Sequence, residues 1–368
     1  MKKMLPIKRY DGLDRTDKYE CWTALRLSAA LADDRFLPWY LENFISIMLD
    51  QHYCTMYHDF GSLTSLSLYN EPLIINEIYD KSNILARVIE TLNNNGYINL
   101  YYDRYYLKGC DWYMREHYLH DILIYGYDTD ERVIHFFDSE MNPSAADMTM
   151  DFDAFEKSFA SSLKYLKIKK VEYCWQYILN LPLHEIYLKE PTPGRQINLT
   201  KIYEAIDSNL RGGEFICENY STENVLFPTS YKSKKCRYGV SIFKGLYDEL
   251  LNIVKEEGGY RENPNNRFIS YGLLKITDNK KDLLYRLNYL NDNGFLKLSS
   301  NIAENIACMN HAIQAAYDLI IESAQEYNVE AVEKAQEKLK EAEKLDIQVL
   351  TEAKGLVYKA MQSKRLWY

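Results

Sequence analysis

The chain has 368 residues, a formal net charge of −9 and 26% charged residues, so it is long enough for two domains and too acidic for a broad nucleic-acid footprint. No apolar run approaches the roughly 18 residues of a membrane-spanning helix, and no apolar stretch follows the basic N-terminal residues as a secretory signal requires. These features predict a cytoplasmic protein with neither a nucleic-acid nor a membrane partner.

The seven cysteines (Cys21, Cys54, Cys110, Cys174, Cys217, Cys236 and Cys308) are scattered and form no C-x-x-C pair. A disulfide framework or a zinc ribbon would need clustering or regular spacing. Phosphate-loop, dinucleotide and metalloprotease motifs are missing too, so neither cofactor nor metal is expected. His52 and His58 flank Cys54, but only Asp50 or Asp59 stands near enough to extend that set toward a metal site. Tyrosine reaches 33 copies, in clusters such as Tyr101, Tyr102, Tyr105 and Tyr106. It suits half-buried strand faces, and an amphipathic wall for an aromatic substrate is the sharper alternative.

In chain order, Cys21–Leu31 reads as a helix, with Asp17 as its N-cap and Cys21 in the first turn. A second helical pattern covers about 37–50, and a third covers 83–94, stopping at Asn95-Gly96. The period then changes. Residues 97–102 read as a strand, and 120–127, the turn residues 128–131 and 132–138 read as a β-hairpin. The run Glu190-Pro191-Thr192-Pro193-Gly194 is a linker signal, which predicts domains at 1–190 and 191–368. Beyond it, helices are predicted near 199–209, 240–256, 279–293, 302–327 and 329–361. The last carries an apolar stripe from Val332 to Ala360, the pattern of a bundle or homodimer helix that could also shape a substrate channel. The fold class expected is α+β, with a mainly helical C-terminal domain.

A thiol nucleophile needs a raised thiolate fraction, a base within hydrogen-bond reach and a third group orienting that base. Cys21 at a helix start meets the first condition. His120 opens one strand of the hairpin and Asp138 closes the other. With the turn centred between Thr129 and Asp130, residue 121 faces about 138 and residue 120 about 139, which makes His120 and Asp138 neighbours at the open end. His117 is the alternative base, Cys110 the rival nucleophile, and His135 a packed residue of the return strand.

The run Cys21-Trp22-Thr23-Ala24-Leu25-Arg26 resembles the Cys-x-[Ser/Thr]-x-Leu-Arg helix start of the butirosin-biosynthesis acyltransferase family, a relative of the bacteriocin-processing cysteine peptidases. Residues Tyr102–Leu107 resemble its Asp-x-Tyr-Leu strand end, and His120–Asp128 its His-x-x-x-x-x-Gly-Tyr-Asp strand. Asp138 stands where the partner strand of that family carries Asp. The resemblance spans about residues 10–165. It implies a papain-like catalytic domain with the triad Cys21, His120 and Asp138; substrate contacts are expected from Asp103, Tyr19 and Trp22. It also implies an acyl-enzyme formed from a thioester on a carrier protein's phosphopantetheine arm and resolved by a small-molecule amine to an amide, in antibiotic biosynthesis. Hydrolysis of the same acyl-enzyme, as by a peptidase, amidase or thioesterase, is the second reading, and a non-catalytic binding module the third. Trp22 replaces the family's small residue, and positions 10–20 hold no Gln. The oxyanion donor is therefore expected to be the backbone N–H of Cys21 or a side chain of Tyr19 or Arg15.

Overall fold

Alternating apolar runs dominate the first half of the chain and 3.6-residue stripes its last third, and the fold follows that division. The structure, a computed structural model, describes residues 1–8, 21–50, 55–58, 66–138, 148–168, 183–217, 234–255, 265–326 and 328–365. Its elements begin with β1 (Lys2–Met4), α1 (Cys21–Ala30), α2 (Leu37–Glu42), β2 (Ile47–Asp50), β3 (Thr55–His58), β4 (Leu73–Glu77) and α3 (Ile84–Asn93). There follow β5 (Gly96–Asp103), β6 (Leu119–Asp128), β7 (Val133–Phe137), β8 (Met148–Asp151), α4 (Phe152–Ile168) and β9 (Leu183–Leu188). The remainder comprises α5 (Leu199–Arg211), β10 (Gly213–Cys217), β11 (Lys234–Tyr238), α6 (Ser241–Lys255), α7 (Asn265–Asp292), α8 (Ser300–Glu326) and α9 (Val329–Arg365). The class is α+β with a helical C-terminal region.

The chain divides into two units. The first, residues 1–37, 61–195 and 220–231, is built on a seven-stranded antiparallel sheet ordered β4-β9-β5-β6-β7-β8, with β1 pairing to β6 off that path. The central strands β5 and β6 are buried along almost their whole length, which explains their near-continuous apolar sequence. Helix α1 packs on β6 and β9, and α3 and α4 on β5. Among the described residues β9 pairs with β5 as far as Leu183, opposite Leu100. Beyond that point serines of α4 take up backbone groups of β5. Ser158 Oγ accepts from the Asp103 N–H at 2.8 Å and donates to the Asp103 carbonyl at 2.9 Å, and Ser162 Oγ donates to the Tyr101 carbonyl at 3.0 Å.

The β6–β7 hairpin forms where the sequence predicts it, but in another register. Asp128 pairs with Val133 and Gly126 with His135, then the register shifts and resumes with Ile124 opposite Phe136 and Leu123 opposite Phe137. Tyr125 is the extra residue. A bulge of one residue inverts the face of every position beyond it. Continued by one residue, the ladder sets Asp138 level with Ile122 and so on the face of His120. Without the bulge Asp138 would share the face of Asp121. The predicted facing of residue 121 with 138 is thus corrected, and the bulge at Tyr125 is what lets Asp138 meet His120.

The second unit, residues 38–60, 196–219 and 232–368, contains a four-stranded sheet ordered β10-β11-β2-β3 and helices around one core. Ile47 and Leu49 of β2 are buried there with Phe243 of α6, Ile276 of α7, Ile313 of α8 and Leu339 of α9. The apolar stripe of α9 lies against α8 and is buried at Val332, Ala335, Val349, Ala353 and Ala360. Two expectations need correction. The helix expected over 37–50 ends at Glu42, and its second half is strand β2. Residues 38–60 also belong to the second unit, so a single cut near 190 does not describe the division. The cause is a set of long-range hydrogen bonds. The Arg286 guanidinium donates to the carbonyls of Leu41 (3.2 Å), Asn43 (2.8 Å) and Phe44 (3.1 Å), while the Asn279 and Asn209 amides donate to Ile45 (3.0 and 3.2 Å). These bonds hold Phe44 at φ 56°, a conformation that a bulky side chain adopts only when its surroundings enforce it. Among the described residues no helix is long and apolar enough to cross a membrane.

Candidate functional site

The site lies at the end of β6 where His120 stands opposite Tyr102 of β5. Alternation places Tyr102, His120 and, through the bulge, Asp138 on one face. His120 Nδ1 lies 3.1 Å from Asp138 Oδ1 and 3.0 Å from the Asp121 carbonyl oxygen. The Tyr102 hydroxyl donates to Asp138 Oδ2 at 2.7 Å. Arg104 Nη2 donates to both Asp138 oxygens at 2.8 Å, and its Nε to Oδ2 at 3.1 Å. The side chains of Arg104 and Asp138 are wholly buried, whereas that of His120 keeps 12% of its surface exposed. His120 is therefore, of these three side chains, the one that meets solvent.

Electrostatics follow from this packing. Burial works to lower the pKa of His120, but the adjacent Asp138 charge and hydrogen bond outweigh it and raise the pKa above the usual histidine value. For Asp138, burial works to raise the pKa, and His120, Arg104 and Tyr102 together pull it well below the usual carboxylate range. Burial and the neighbouring carboxylate keep Tyr102 a neutral phenol far above its ordinary pKa. An ionised Asp138 accepting from Nδ1–H selects the tautomer whose Nε2 takes up a proton, the arrangement of a general base with its orienting carboxylate.

Cys21 is the first residue of α1, as expected, and α1 packs on the strand that carries His120. The side chains of Cys21 and Trp22, and all of Tyr19, Arg15 and Asp17, lie outside the described residues. Asp103, expected at the substrate, is instead fully buried. Its carboxylate accepts from Ser161 Oγ (2.6 Å) and the Tyr105 N–H (3.1 Å) and meets His117 Nδ1 at 2.6 Å. His117, the alternative base, stacks between Tyr105 and Tyr165 at centroid distances of 4.3 and 4.1 Å. Both residues thus serve the packing of the loop before β6. Cys110 Sγ donates to the carbonyls of Arg104 (3.4 Å) and Leu107 (3.2 Å), which ties that loop together. His52, Cys54 and Asp59 lie outside the described residues, and among the described residues no cluster of metal-ligating side chains is found.

Tyr102 and Arg104 were not anticipated. Tyr102 was within reach of the strand pattern, since it stands opposite His120, whereas Arg104 follows the strand in a 3-10 turn that no alternation places. Comparison with protein-family models and with curated proteins finds no match to this chain.

Proposed function

We propose that this chain is a cysteine-nucleophile acyltransferase of papain-like fold, which moves an acyl group from a carrier-protein thioester to a small-molecule amine in the biosynthesis of an antibiotic-like metabolite. The observation that carries the reading is the 3.1 Å contact with a buried, ionised Asp138 made by His120, which stands on the strand against which the Cys21 helix packs. The Cys21 thiolate attacks the thioester carbonyl, and collapse of the tetrahedral intermediate expels the carrier thiol, protonated by the His120 imidazolium. The amine then attacks the acyl-enzyme, His120 takes its proton, and the amide leaves as the Cys21 thiolate is restored. Asp138 remains ionised throughout and orients the ring. This chemistry requires no metal or cofactor beyond the donor's own arm, and carrier proteins place it in the cytoplasm.

The test is intact-protein mass spectrometry with an acyl-carrier-protein thioester, with and without amines. The wild type is expected to gain one acyl mass that Cys21→Ala does not, and to release it as an amide when amine is added. Release as free acid whatever the amine would make the protein a hydrolase, and no acyl uptake at all would leave a binding module.

A further inference from the structure

We propose that Arg104 is the positioning residue of this site: its guanidinium fixes the Asp138 carboxylate at the His120 ring and offsets that carboxylate's charge. Its catalytic meaning rests on the proposed function, whereas the coupling to His120 is a property of the fold.

Three observations carry it. First, Arg104 meets Asp138 as a fork, with Nη2 at 2.8 Å from each oxygen and Nε at 3.1 Å from Oδ2, both side chains being excluded from solvent. A rigid planar fork fixes a carboxylate in a way that an ammonium point charge does not. Second, Arg104 is itself held. Its N–H donates to the Tyr118 carbonyl at 2.9 Å, and it opens the 3-10 turn Arg104–Tyr106, which Asp103 caps. Its guanidinium lies 5.0 Å from the ring centre of Trp112 and 4.9 Å from that of Tyr118, and those two rings stack on each other at 4.7 Å. Third, the charged and titratable side chains around His120 include, among the described residues, Asp138 at 3.1 Å, Asp121 at 3.7 Å and, bonded to Asp138, Arg104 and Tyr102. Two carboxylates beside a largely desolvated imidazole would hold it as imidazolium and make it a poor proton acceptor. Arg104 is a cation bonded to Asp138 that counters the nearer of these charges. It lets Asp138 orient the ring without trapping its proton.

Removing the Arg104 charge should therefore make His120 more basic, the opposite of what disordering the site would do. The experiment follows the His120 Cε1–H resonance of the full chain by NMR across pH, assigned by its loss in His120→Gln. Arg104→Met is expected to raise the titration midpoint by on the order of one pH unit. Asp138→Asn is expected to lower it, and Arg104→Lys to leave it within about half a unit of wild type. A midpoint in Arg104→Met that is unchanged, or that falls to about 6.5, the value of an unperturbed histidine, overturns the proposal. Should Arg104→Met fail to fold by near-UV circular dichroism, Arg104→Gln, which also removes the charge, decides: a midpoint above wild type supports the proposal, and one that is unchanged or lower overturns it. No acyl donor is involved, so a failure of the acyltransferase reading leaves this result interpretable.

Discussion

Replacing Asp138 by alanine should destabilise the first unit severely while leaving its neighbours in place. The carboxylate is wholly buried and accepts from Arg104, Tyr102 and His120 at once. Its removal takes from a guanidinium with no exposed surface the carboxylate on which it forks. Breaking one partner out of a buried pair costs about 3–5 kcal/mol, because the remaining charge is stranded. The Tyr102 hydroxyl loses its acceptor as well, and an unsatisfied buried group adds about 1–3 kcal/mol. His120, still partly exposed, can be rehydrated and adds little. The expected loss is therefore about 4 kcal/mol or more, a large share of a typical domain's stability. The double variant Arg104→Met/Asp138→Leu removes both charges and should recover most of that loss, since an apolar pair of similar volume often replaces a buried ion pair at no net cost. Hydrogen exchange of the β5 and β6 amides is the suitable readout, because it reports this unit even where the whole chain does not unfold in one step. If Asp138→Ala exchanges like the wild type, or if the double variant is the worse of the two, the buried network does not stabilise the unit as argued.

Three further outcomes follow from the same structure. Gly126→Ala should detach β1, because a Cβ there would lie 2.9 Å from the Lys3 carbonyl oxygen and press on the Met4 side chain; the expected cost is about 1–3 kcal/mol, seen as faster exchange of the β1 amides, and unchanged exchange would refute it. Lys280 and Asp346 form a second buried pair, 2.9 Å apart and 2% and 1% exposed, so Lys280→Met should lower the stability of the second unit by about 3–5 kcal/mol in urea titration, and a loss below about 1 kcal/mol would contradict it. The first unit should be most stable near pH 6.5. His120 has a raised pKa, so its contribution is present below the unfolded value and fades as pH climbs through the folded one. Burial, and then Arg26, push His184 down to about 4, so its contribution is present above the unfolded value and fades as pH falls. His120→Gln should flatten the alkaline side alone, as measured by urea midpoints across pH.

How much was legible in the sequence varied with the range of the forces involved. The β6–β7 hairpin was readable because apolar alternation and the Asp128–Glu131 turn are local, and polar His120 and Asp138 at its open end stood out against that pattern. The bulge at Tyr125 was not, since nothing local distinguishes a tyrosine that is doubled in the ladder from one that is paired. Residues 37–50 satisfy a helical stripe and a strand run equally well. What selects strand for Ile47–Asp50 is pairing with β3 and β11, together with the capture of carbonyls 41–45 by Arg286, Asn279 and Asn209, residues more than 150 positions away. Asp103 was expected to contact substrate, whereas Ser161 of α4 and His117 take up its buried carboxylate. Local pattern thus located the pair His120 and Asp138, and only the packed fold reveals the Arg104 and Tyr102 shell behind it.

The pairing of Cys21 with His120 can be tested without knowing the substrate, by alkylating the full chain with iodoacetamide across pH and following the Cys21 peptide by mass spectrometry. A cysteine activated by this base should already react below neutral pH in the wild type. In His120→Ala its reactive limb should move up toward about 8.5, the value of an unperturbed thiol, while His117→Ala should react like the wild type. A Cys21 profile that is indifferent to His120, or one that shifts with His117 instead, would contradict the assignment of His120 as the base that serves Cys21.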